Sequence, residues 1–368
     1  MTDRGSLFLL AWAMRRAALS LAVLALACGS TDAATADGGT SPDGSIESSS
    51  DTGTSPDAPG TDGAAGGGLA SKYPCDKGIE TDPAVVFTEG FEEGTVQALT
   101  ARYEDKKPGG ITLAADVPPK SCGKASGKFY ADPNAPASDL FKKLTPGFDE
   151  LWVRYYAKYQ KGIQWHHTGV WVGGYNPASN YPSPQAGLKP NGDDRFSVSY
   201  EPVGADGSPN PRMDFYDYWM KMHSWMDVPS GNTAYYGNTL IHRKSSVAPD
   251  DTWMCVELHV KLNPSAASGA GAELDLWVNG ASVAHFDDKA PVGCWIKDKF
   301  CATGWDGAEC NYPNLCAQPY VPLDLQWRNT TALQLNAFWP QNYITAGPGG
   351  SVEYDDMVIA KAPIGCLQ

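Results

Sequence analysis

Two histidines and two tyrosines stand at spacings that suit proton-transfer chemistry. His166 and His167 are adjacent and directly precede a glycine-rich segment. Near neutral pH an imidazole can either neutralise a carboxylate or take a proton. Tyr216 and Tyr218 are two residues apart, so on a strand both side chains project from the same face. The alternative interpretation is structural: the histidines would hydrogen-bond a loop, and the tyrosines would pack across strands.

Basic and amide side chains on two predicted strands are candidates for binding an acidic sugar. Arg154 and Tyr156 share one face of the apolar-aromatic segment 151–159. A cation such as Arg154 would also favour the phenolate form of a nearby tyrosine, and we expect one within about 4–6 Å of Tyr216 and Tyr218. Gln334 and Asn336 form the polar face of a later strand, which is either solvated surface or the lining of a groove.

Paired carboxylates would indicate a different reaction, glycoside hydrolysis. Glu273 and Asp275 lie two residues apart, as in the Glu-x-Asp-x-x-Glu arrangement of retaining jelly-roll glucanases. Val278 occupies the position of the third acid, so the arrangement is incomplete. The sequence therefore favours hydrolysis less than chemistry by histidine and tyrosine.

The cysteines predict disulfide bonds in an exported protein. Nine cysteines are present, and eight of them follow Cys28. An even number in an exported domain predicts four disulfides. Four lie close together, at 294, 301, 310 and 316, but their spacings lack the close pairs of structural zinc sites. Cys75 and Cys366 bracket the domain, which suggests that they join its first and last strands.

The first 71 residues differ in composition from the rest of the 368-residue chain. Residues 1–28 predict a signal peptide: Arg15 and Arg16 precede a short apolar run that ends at Cys28. The run resembles a bacterial lipobox, which implies lipidation of Cys28 and an outer-membrane or cell-surface lipoprotein. Residues 29–71 are rich in Gly, Ser and Asp, contain no Lys or Arg, and predict a disordered linker. Residues 72–368 form the predicted folded domain.

This domain shows alternating apolar and polar residues separated by turn clusters, with little at helical spacing. Residues 253–262 are an example, since Met254, Val256 and Leu258 alternate with Cys255, Glu257 and His259. No alternation of strands with helices appears, which disfavours a parallel α/β sheet. The pattern predicts an all-β fold, a two-sheet antiparallel β-sandwich of jelly-roll type. The net charge of −14 disfavours nucleic acid as a partner.

Several segments resemble the concanavalin A-like jelly rolls of polysaccharide lyases. The resemblance is to the alginate and glucuronan lyase families and their secreted fungal relatives, and it covers most of residues 85–362. It is carried by Phe91-Glu92-Glu93-Gly94, Gly169-Val170-Trp171-Val172-Gly173-Gly174, Phe215-Tyr216-Asp217-Tyr218, Leu276-Trp277-Val278-Asn279-Gly280 and Tyr354-Asp355-Asp356-Met357-Val358-Ile359. The resemblance implies β-elimination on a uronic-acid-containing polysaccharide.

The resemblance also assigns expected roles to residues. In these families a Lys precedes the glycine-rich turn, whereas this chain has His166 and His167 at that place. Two tyrosines transfer protons in the families, and Tyr216 and Tyr218 match their spacing in this chain. From its own strand position beside Tyr156, and not from the resemblance, Arg154 joins this catalytic set as an expected ligand of the sugar carboxylate. Expected substrate-binding residues are Tyr156, Arg328, Gln334 and Asn336. Such jelly rolls commonly hold one structural Ca²⁺ between the first and last strands, which implies ligands among Glu89, Glu92, Asp355 and Asp356.

Two classes of function remain open from the sequence. The first is an exported polysaccharide lyase that requires no organic cofactor. The second is a carbohydrate-binding or adhesion lipoprotein without catalysis, since the Trp-Val-Asn-Gly and Tyr-Asp-Asp segments also occur in non-enzymatic jelly rolls. Formation of an unsaturated product from a uronic-acid polymer distinguishes the two classes.

Overall fold

The computed structural model describes residues 67–203, 212–224, 234–310, 316 and 320–368. The expected signal peptide, the lipidation site Cys28 and most of the expected linker lie outside the described residues. No helix in the described part of the chain has the length and apolar character that a membrane span requires.

Strands account for most of the regular structure. Within the described residues, one α-helix, α1, spans Val96–Thr100, and five short 3-10 helices span Leu69–Ser71, Pro74–Asp76, Ile79–Thr81, Pro108–Gly110 and Ala308–Cys310. The strands are β1 (Val85–Glu89), β2 (Asp105–Lys107), β3 (Ile111–Ala114), β4 (Ser126–Ala131), β5 (Ala137–Phe148), β6 (Glu150–Tyr159), β7 (His167–Tyr175), β8 (Arg195–Val203), β9 (Arg212–Phe215), β10 (Met254–Lys261), β11 (Glu273–Val278), β12 (Ala281–Phe286), β13 (Val292–Ile296), β14 (Lys299–Ala302), β15 (Val321–Pro322), β16 (Leu335–Tyr343) and β17 (Gly350–Ala360).

Two large antiparallel sheets form a sandwich, which confirms the predicted fold class. The eight-stranded sheet has the order β12-β11-β10-β6-β17-β4-β3, with β1 paired to β17. The six-stranded sheet has the order β2-β5-β16-β7-β8-β9. A small third sheet has the order β14-β13-β15. Because the strands that neighbour each other are often distant in the chain, residues far apart in sequence meet on one sheet face.

The core lies between the two large sheets and follows the alternation read from the sequence. On β10, Met254, Val256 and Leu258 are all buried in it. The other face of β10 differs from the solvated surface that alternation alone would suggest, because Glu257 and His259 are also buried. Glu257 accepts hydrogen bonds from the backbone N–H groups of Ile364 (2.8 Å) and Gly365 (2.9 Å). The C-terminal segment thus covers the centre of this face.

The N-terminal segment of the domain packs beside that C-terminal segment. Leu69 and Ala70 are buried, and their backbone N–H groups donate to Pro363 (3.0 Å) and Ile364 (2.8 Å). Gly68 lies so close to the carbonyl of Ile364 that a Cβ atom there would collide with it. The folded unit therefore includes residues at the end of the segment expected to be a linker, because Leu69 contributes apolar surface to this contact.

Four disulfides are formed, as the cysteine count predicts. The pairs are Cys75–Cys122, Cys255–Cys366, Cys294–Cys316 and Cys301–Cys310. The expected Cys75–Cys366 bond is wrong. Cys75 precedes the first strand and lies next to the loop that carries Cys122, whereas the C-terminal segment crosses β10 at Cys255. Pairing depends on which segments cover the outer sheet face, and the sequence does not contain that information locally.

Candidate active site

A groove of about 730 Å³ lies on the exposed face of the six-stranded sheet. Its floor is built from strands β5, β7 and β16, and its sides come from β2 and from loops. The described lining residues are Lys107, Ala135, Pro136, Ala137, Asp139, His166, His167, Trp171, Pro182, Pro184, Ala186, Tyr216, Tyr218, Tyr236, Trp339, Gln341 and Tyr343. The structure therefore brings His166, His167, Tyr216 and Tyr218 to one concave surface.

Strand alternation directs these side chains into the groove. On β7, His167 and Trp171 line the groove, although only 3 % of Trp171 is exposed, whereas the intervening Val170 is fully buried. The antiparallel register of β16 and β7 pairs Trp339 with Trp171 and Tyr343 with His167. The two indole rings are stacked, with centroids 5.5 Å apart. The floor is thus an aromatic platform with an imidazole at one end.

A buried carboxylate holds the imidazole of His167. Glu201 on β8 is 0 % exposed, and its Oε1 lies 2.9 Å from Nδ1 of His167. The Ser199 hydroxyl donates to Oε2 of the same carboxylate at 3.0 Å. A Cβ atom at Gly169 would lie 2.9 Å from both the Glu201 Cβ and the Ser199 Oγ. Glycine at this position therefore leaves the space that the pair occupies.

Glu201 was missed by the sequence analysis. The available signal was the alternation of Ser197, Ser199 and Glu201 on β8, which places three small or acidic side chains on the face adjacent to His167. An acid on a predicted strand is usually solvated. Only the pairing of β8 with β7 shows that this acid is buried beneath a histidine.

Tyr216 and Tyr218 follow β9 and remain paired to β8 through the backbone. Their N–H groups donate to the carbonyls of Ser199 and Ser197, both at 2.9 Å. The Tyr216 ring lies 4.7 Å from the His167 ring and 5.8 Å from the Tyr218 ring, between centroids. Burial raises the pKa of Tyr216, and it also raises the pKa of Tyr218. Both phenols therefore stay protonated and suit a proton donor better than a base.

His166 lies against His167 at the edge of the groove. The two rings are stacked, with centroids 4.1 Å apart, and Nδ1 of His166 lies 3.0 Å from the Thr345 hydroxyl oxygen. Burial, followed by the proximity of His167, lowers the pKa of His166 to about 4. His166 is therefore a neutral imidazole near pH 7, able to donate or accept a hydrogen bond without adding a charge.

The structure places Arg154 and Tyr156 away from the groove that holds the histidines and tyrosines. Both lie on β6 of the eight-stranded sheet. Arg154 is fully buried and forms an ion pair with Asp76, a residue of the N-terminal segment. The Tyr156 hydroxyl accepts a hydrogen bond from the backbone N–H of Leu367 at 2.8 Å. These side chains fasten the terminal segments to the outer face of the sandwich.

The other expected substrate-binding residues also lie outside the described groove lining and bond to other parts of the protein. Arg328 is buried and donates to Asp149 Oδ1 (2.7 Å) and to the carbonyl of Leu333 (2.9 Å). Gln334 donates to the same Asp149 oxygen at 3.3 Å. Asn336 bonds both backbone groups of Tyr175, at 3.0 and 2.9 Å. No arginine occurs among the described lining residues, so the cation expected beside the tyrosines is absent from this surface.

The acidic residues expected to bind calcium cluster at a second cavity of about 710 Å³, lined in part by Glu89, Glu92 and Asp356. Glu89 is already engaged, because its Oε2 accepts from Arg102 and Tyr103, both at 2.9 Å. Glu92 accepts from the backbone N–H groups of the loop at 124 and 125. These contacts leave the remaining carboxylates as the better candidates for metal binding.

Asp355 and Asp356 have carboxylate oxygens that are available to coordinate a cation. Burial, followed by the proximity of Asp356, raises the pKa of Asp355 to about 9. Within the described residues, one buried carboxylate oxygen of each has no hydrogen-bond partner, and the same holds for Oδ1 of Asp76, which lines the same cavity. Uncompensated buried carboxylate oxygens are costly, and a hard divalent cation such as Ca²⁺ would satisfy them. The donor set therefore fits the expected ion, with Asp76 as a ligand candidate that the sequence did not indicate.

The pair considered for hydrolysis lies elsewhere. Asp275 Oδ2 is 2.6 Å from Nδ1 of His259, and Asp275 also pairs with His285. Glu273 accepts from Lys261 at 2.6 Å. All of these residues belong to β10, β11 and β12 of the eight-stranded sheet, outside the groove. Both carboxylates already bind histidine or lysine side chains, so this geometry does not support a paired-carboxylate hydrolase.

No protein-family model matches the chain, and a search of curated proteins finds no match. Among solved structures, alginate lyase Aly36B is 11% identical, with 76% of this chain and 94% of that chain covered and a TM-score of 0.42. The marine PL-14 alginate lyase from Aplysia kurodai is 13% identical over 75% of this chain and 98% of its own, with a TM-score of 0.45. The endo-beta-1,4-glucuronan lyase from the fungus Trichoderma reesei is 12% identical over 70% and 90%, with a TM-score of 0.36. These three structures are polysaccharide lyases at low identity to this chain.

Proposed function

We propose that this protein is a polysaccharide lyase that cleaves a uronic-acid-containing polysaccharide by β-elimination. The observation that carries the proposal is the arrangement of His167, which is held by buried Glu201 and lies in ring contact with Tyr216 at the floor of an aromatic groove. This arrangement supports the proposal, because His167 as the base and Tyr216 as the proton donor would act side by side on a sugar chain in the groove.

His167 acts as the base in this mechanism. Because Glu201 accepts a hydrogen bond from Nδ1–H, Nε2 carries the free lone pair and can take a proton from the substrate. The proton that it takes is the one on C5 of the uronate. The C5–H bonding electrons form the C4–C5 double bond as the C4–O bond breaks. Tyr216 or Tyr218 then donates its phenolic proton to the departing glycosidic oxygen.

The substrate carboxylate must be neutralised so that the C5 proton becomes acidic. The groove offers the Gln341 amide and the neutral imidazole of His166 as uncharged donors. The half-buried ring of Tyr343, with the small exposed parts of Trp171 and Trp339 beside it, supplies aromatic surface that suits the C–H faces of sugar rings. The groove therefore combines the reacting groups with a surface that positions a carbohydrate.

A panel of uronic-acid polymers tests the proposal. The protein should produce the ultraviolet absorbance of an unsaturated uronate, and His167→Ala should abolish it. Tyr216→Phe and Tyr218→Phe test the donors, and His223→Gln serves as a control because that histidine lies outside the groove. Binding of the polymers without any rise in absorbance would replace the lyase by the second candidate, a non-catalytic carbohydrate-binding protein.

We also propose one structural Ca²⁺ ion held by Asp355 and Asp356, with Asp76 beside them. Its role is to offset the repulsion of buried carboxylates between the last strand and the N-terminal segment, and it takes no part in elimination. Calcium should raise the melting temperature of the wild type but not that of Asp356→Asn. Glu80→Gln is the matched control, since Glu80 lines the same cavity and is exposed. An equal response in Asp356→Asn and the wild type would contradict the assignment.

For the location we propose an exported lipoprotein, attached to the outer membrane or cell surface through a lipid on Cys28. The support is the apolar run that ends at Cys28 and the polar segment that follows it. Labelled palmitate should enter the wild type and not Cys28→Ala, and the variant should leave the membrane fraction. Retention of the Cys28→Ala variant in that fraction would rule out this anchor.

A further inference from the structure

The groove contains little positive charge for the proposed action on an acidic polymer. Lys107 is the only Lys or Arg among its described lining residues. Its Nζ lies 2.5 Å from Oδ2 of Asp139, another lining residue. The internal segments outside the described residues, 204–211, 225–233, 311–315 and 317–319, contain no Lys or Arg. Those segments cannot supply a further cation.

The charges that surround the reacting groups do not favour a polyanion. Asp139 and the buried Glu201 contribute two carboxylates against the single ammonium of Lys107. His166 is neutral near pH 7. The whole chain has a formal net charge of −14. A chain with a negative charge on every sugar would meet repulsion both in the groove and on approach, because the field of the protein acts over about 10 Å at 0.1 M salt.

Lys143 and Lys189 do not reverse this balance, because both make their contacts outside the groove lining. Lys143 donates to the Asn180 side chain at 2.6 Å, and Lys189 lies over the ring of Tyr235 at 5.5 Å from its centroid. Neither side chain lines the groove. Neither lysine adds a charge to the described lining of the groove.

The uncharged part of the surface is extensive. Trp171, Trp339 and Tyr343 form the platform, and Tyr236 with Pro182 and Pro184 forms part of the side. The indole nitrogen of Trp171 is buried and has no hydrogen-bond partner among the described residues. Aromatic and proline faces bind neutral sugar rings through apolar contact, without the need for a counter-charge.

We propose that the substrate is a heteropolysaccharide in which isolated uronate residues are separated by neutral sugars, and not a homopolyuronate. This inference rests on the proposed elimination reaction, since it places the single uronate beside His167. The neutral sugars lie on the aromatic platform. The low charge of the groove then costs no affinity, because only one carboxylate must be accommodated, by Gln341 and His166.

The test compares two kinds of polymer over a series of salt concentrations. Glucuronan and polymannuronate serve as homopolyuronates, and deacylated gellan serves as a polymer with one glucuronate among neutral sugars. We expect kcat/KM for gellan to exceed that for either homopolyuronate by about tenfold or more and to change little with salt. Cleavage of the homopolyuronates should become faster as salt screens the repulsion. Faster cleavage of a homopolyuronate, with a rate that falls as salt is added, would overturn the inference.

A variant tests the charge argument directly. Asp139→Asn removes the partner of Lys107 and leaves its ammonium available to the substrate. We expect KM for the homopolyuronates to fall about three- to tenfold and KM for gellan to stay within twofold. Asp105→Asn is the control with the same change in net charge, because Asp105 lies on β2 outside the groove. Equal effects of the two variants would show that the lysine pair does not set the preference.

Binding measurements separate this inference from the proposed reaction. Calorimetry with His167→Ala, which cannot turn over, compares oligosaccharides from the same polymers. Tighter binding of the gellan fragments supports the inference even where no polymer yields an unsaturated product, an outcome that removes the lyase function alone. Tighter binding of the homopolyuronate fragments overturns the inference whether or not the protein is a lyase.

Discussion

Substitution of Glu201 by glutamine tests the central pair of the site. Glu201 is completely buried, with Oε1 2.9 Å from His167 Nδ1 and Oε2 bonded to the Ser199 hydroxyl. Glutamine keeps the shape of the side chain but replaces a charged acceptor by a neutral amide. An amide N–H turned toward Nδ1 would also favour the tautomer with a proton on Nε2, which removes the lone pair that faces the substrate.

The size of the effect follows from the lost hydrogen bond. A hydrogen bond to a charged group contributes about 1.5–3 kcal/mol, and each 1.36 kcal/mol corresponds to about a tenfold change in rate. We therefore expect kcat to fall about 10- to 150-fold, which lies at or below the general contribution of acid–base catalysis. KM should change little, because Glu201 lies beneath His167 and does not line the groove. The melting temperature should not fall, since the variant no longer buries a carboxylate.

Initial rates of ultraviolet absorbance, measured over a range of substrate concentration, separate kcat from KM. Ser199→Ala is the matched control, because it removes a neighbouring hydrogen bond and leaves the carboxylate in place. Glu201→Asp should recover part of the lost rate if charge at this position is what matters. A Glu201→Gln enzyme with kcat within about threefold of the wild type, or with a raised KM and unchanged kcat, would refute the assigned role.

Three further predictions concern the platform, the outer sheet face and the pH dependence of stability. Trp171→Ala should raise KM up to about tenfold with little change in kcat, because an aromatic contact contributes about 0.5–1.5 kcal/mol. Steady-state kinetics on a native polymer measures both constants. An unchanged KM would show that the platform does not bind sugar. Arg154→Met should lower the free energy of unfolding by about 3–5 kcal/mol, because Asp76 then loses its buried partner. Denaturant titration measures this loss, and kinetics should show an unchanged kcat per folded molecule. A lower kcat in the folded variant would indicate a catalytic role for Arg154. His259→Gln tests the ion network. Burial by itself would lower the pKa of His259, but hydrogen bonds to Asp275 and Glu150 raise it overall. The contribution of the His259 imidazolium to stability is therefore fully present below the unfolded pKa of about 6.5 and is lost as pH rises through the folded pKa. The difference in unfolding free energy between wild type and His259→Gln should therefore shrink toward alkaline pH in urea titrations, and a difference that grows toward alkaline pH would contradict the sign.

The chain alone was sufficient for the fold class and for part of the groove. Alternation of apolar and polar residues with period two specifies which side chains of a strand share a face, and this is a local property. It placed Tyr216 and Tyr218 together and allowed the two antiparallel sheets to be predicted. The even number of cysteines after Cys28 likewise predicted four disulfides, because the number of bonds follows from composition, whereas the choice of partners depends on contacts.

Only the tertiary structure decided which strands become neighbours and which segments cover each sheet face. Glu201 reaches His167 because β8 lies beside β7. Asp139 pairs with Lys107 because β5 lies beside β2. Arg154 has the residue type and strand position of a sugar-binding group, yet the N-terminal segment brings Asp76 onto its face and buries it. These outcomes depend on contacts between segments that are distant in the chain, and alternation along one strand does not identify the partner across the sheet or the segment above it.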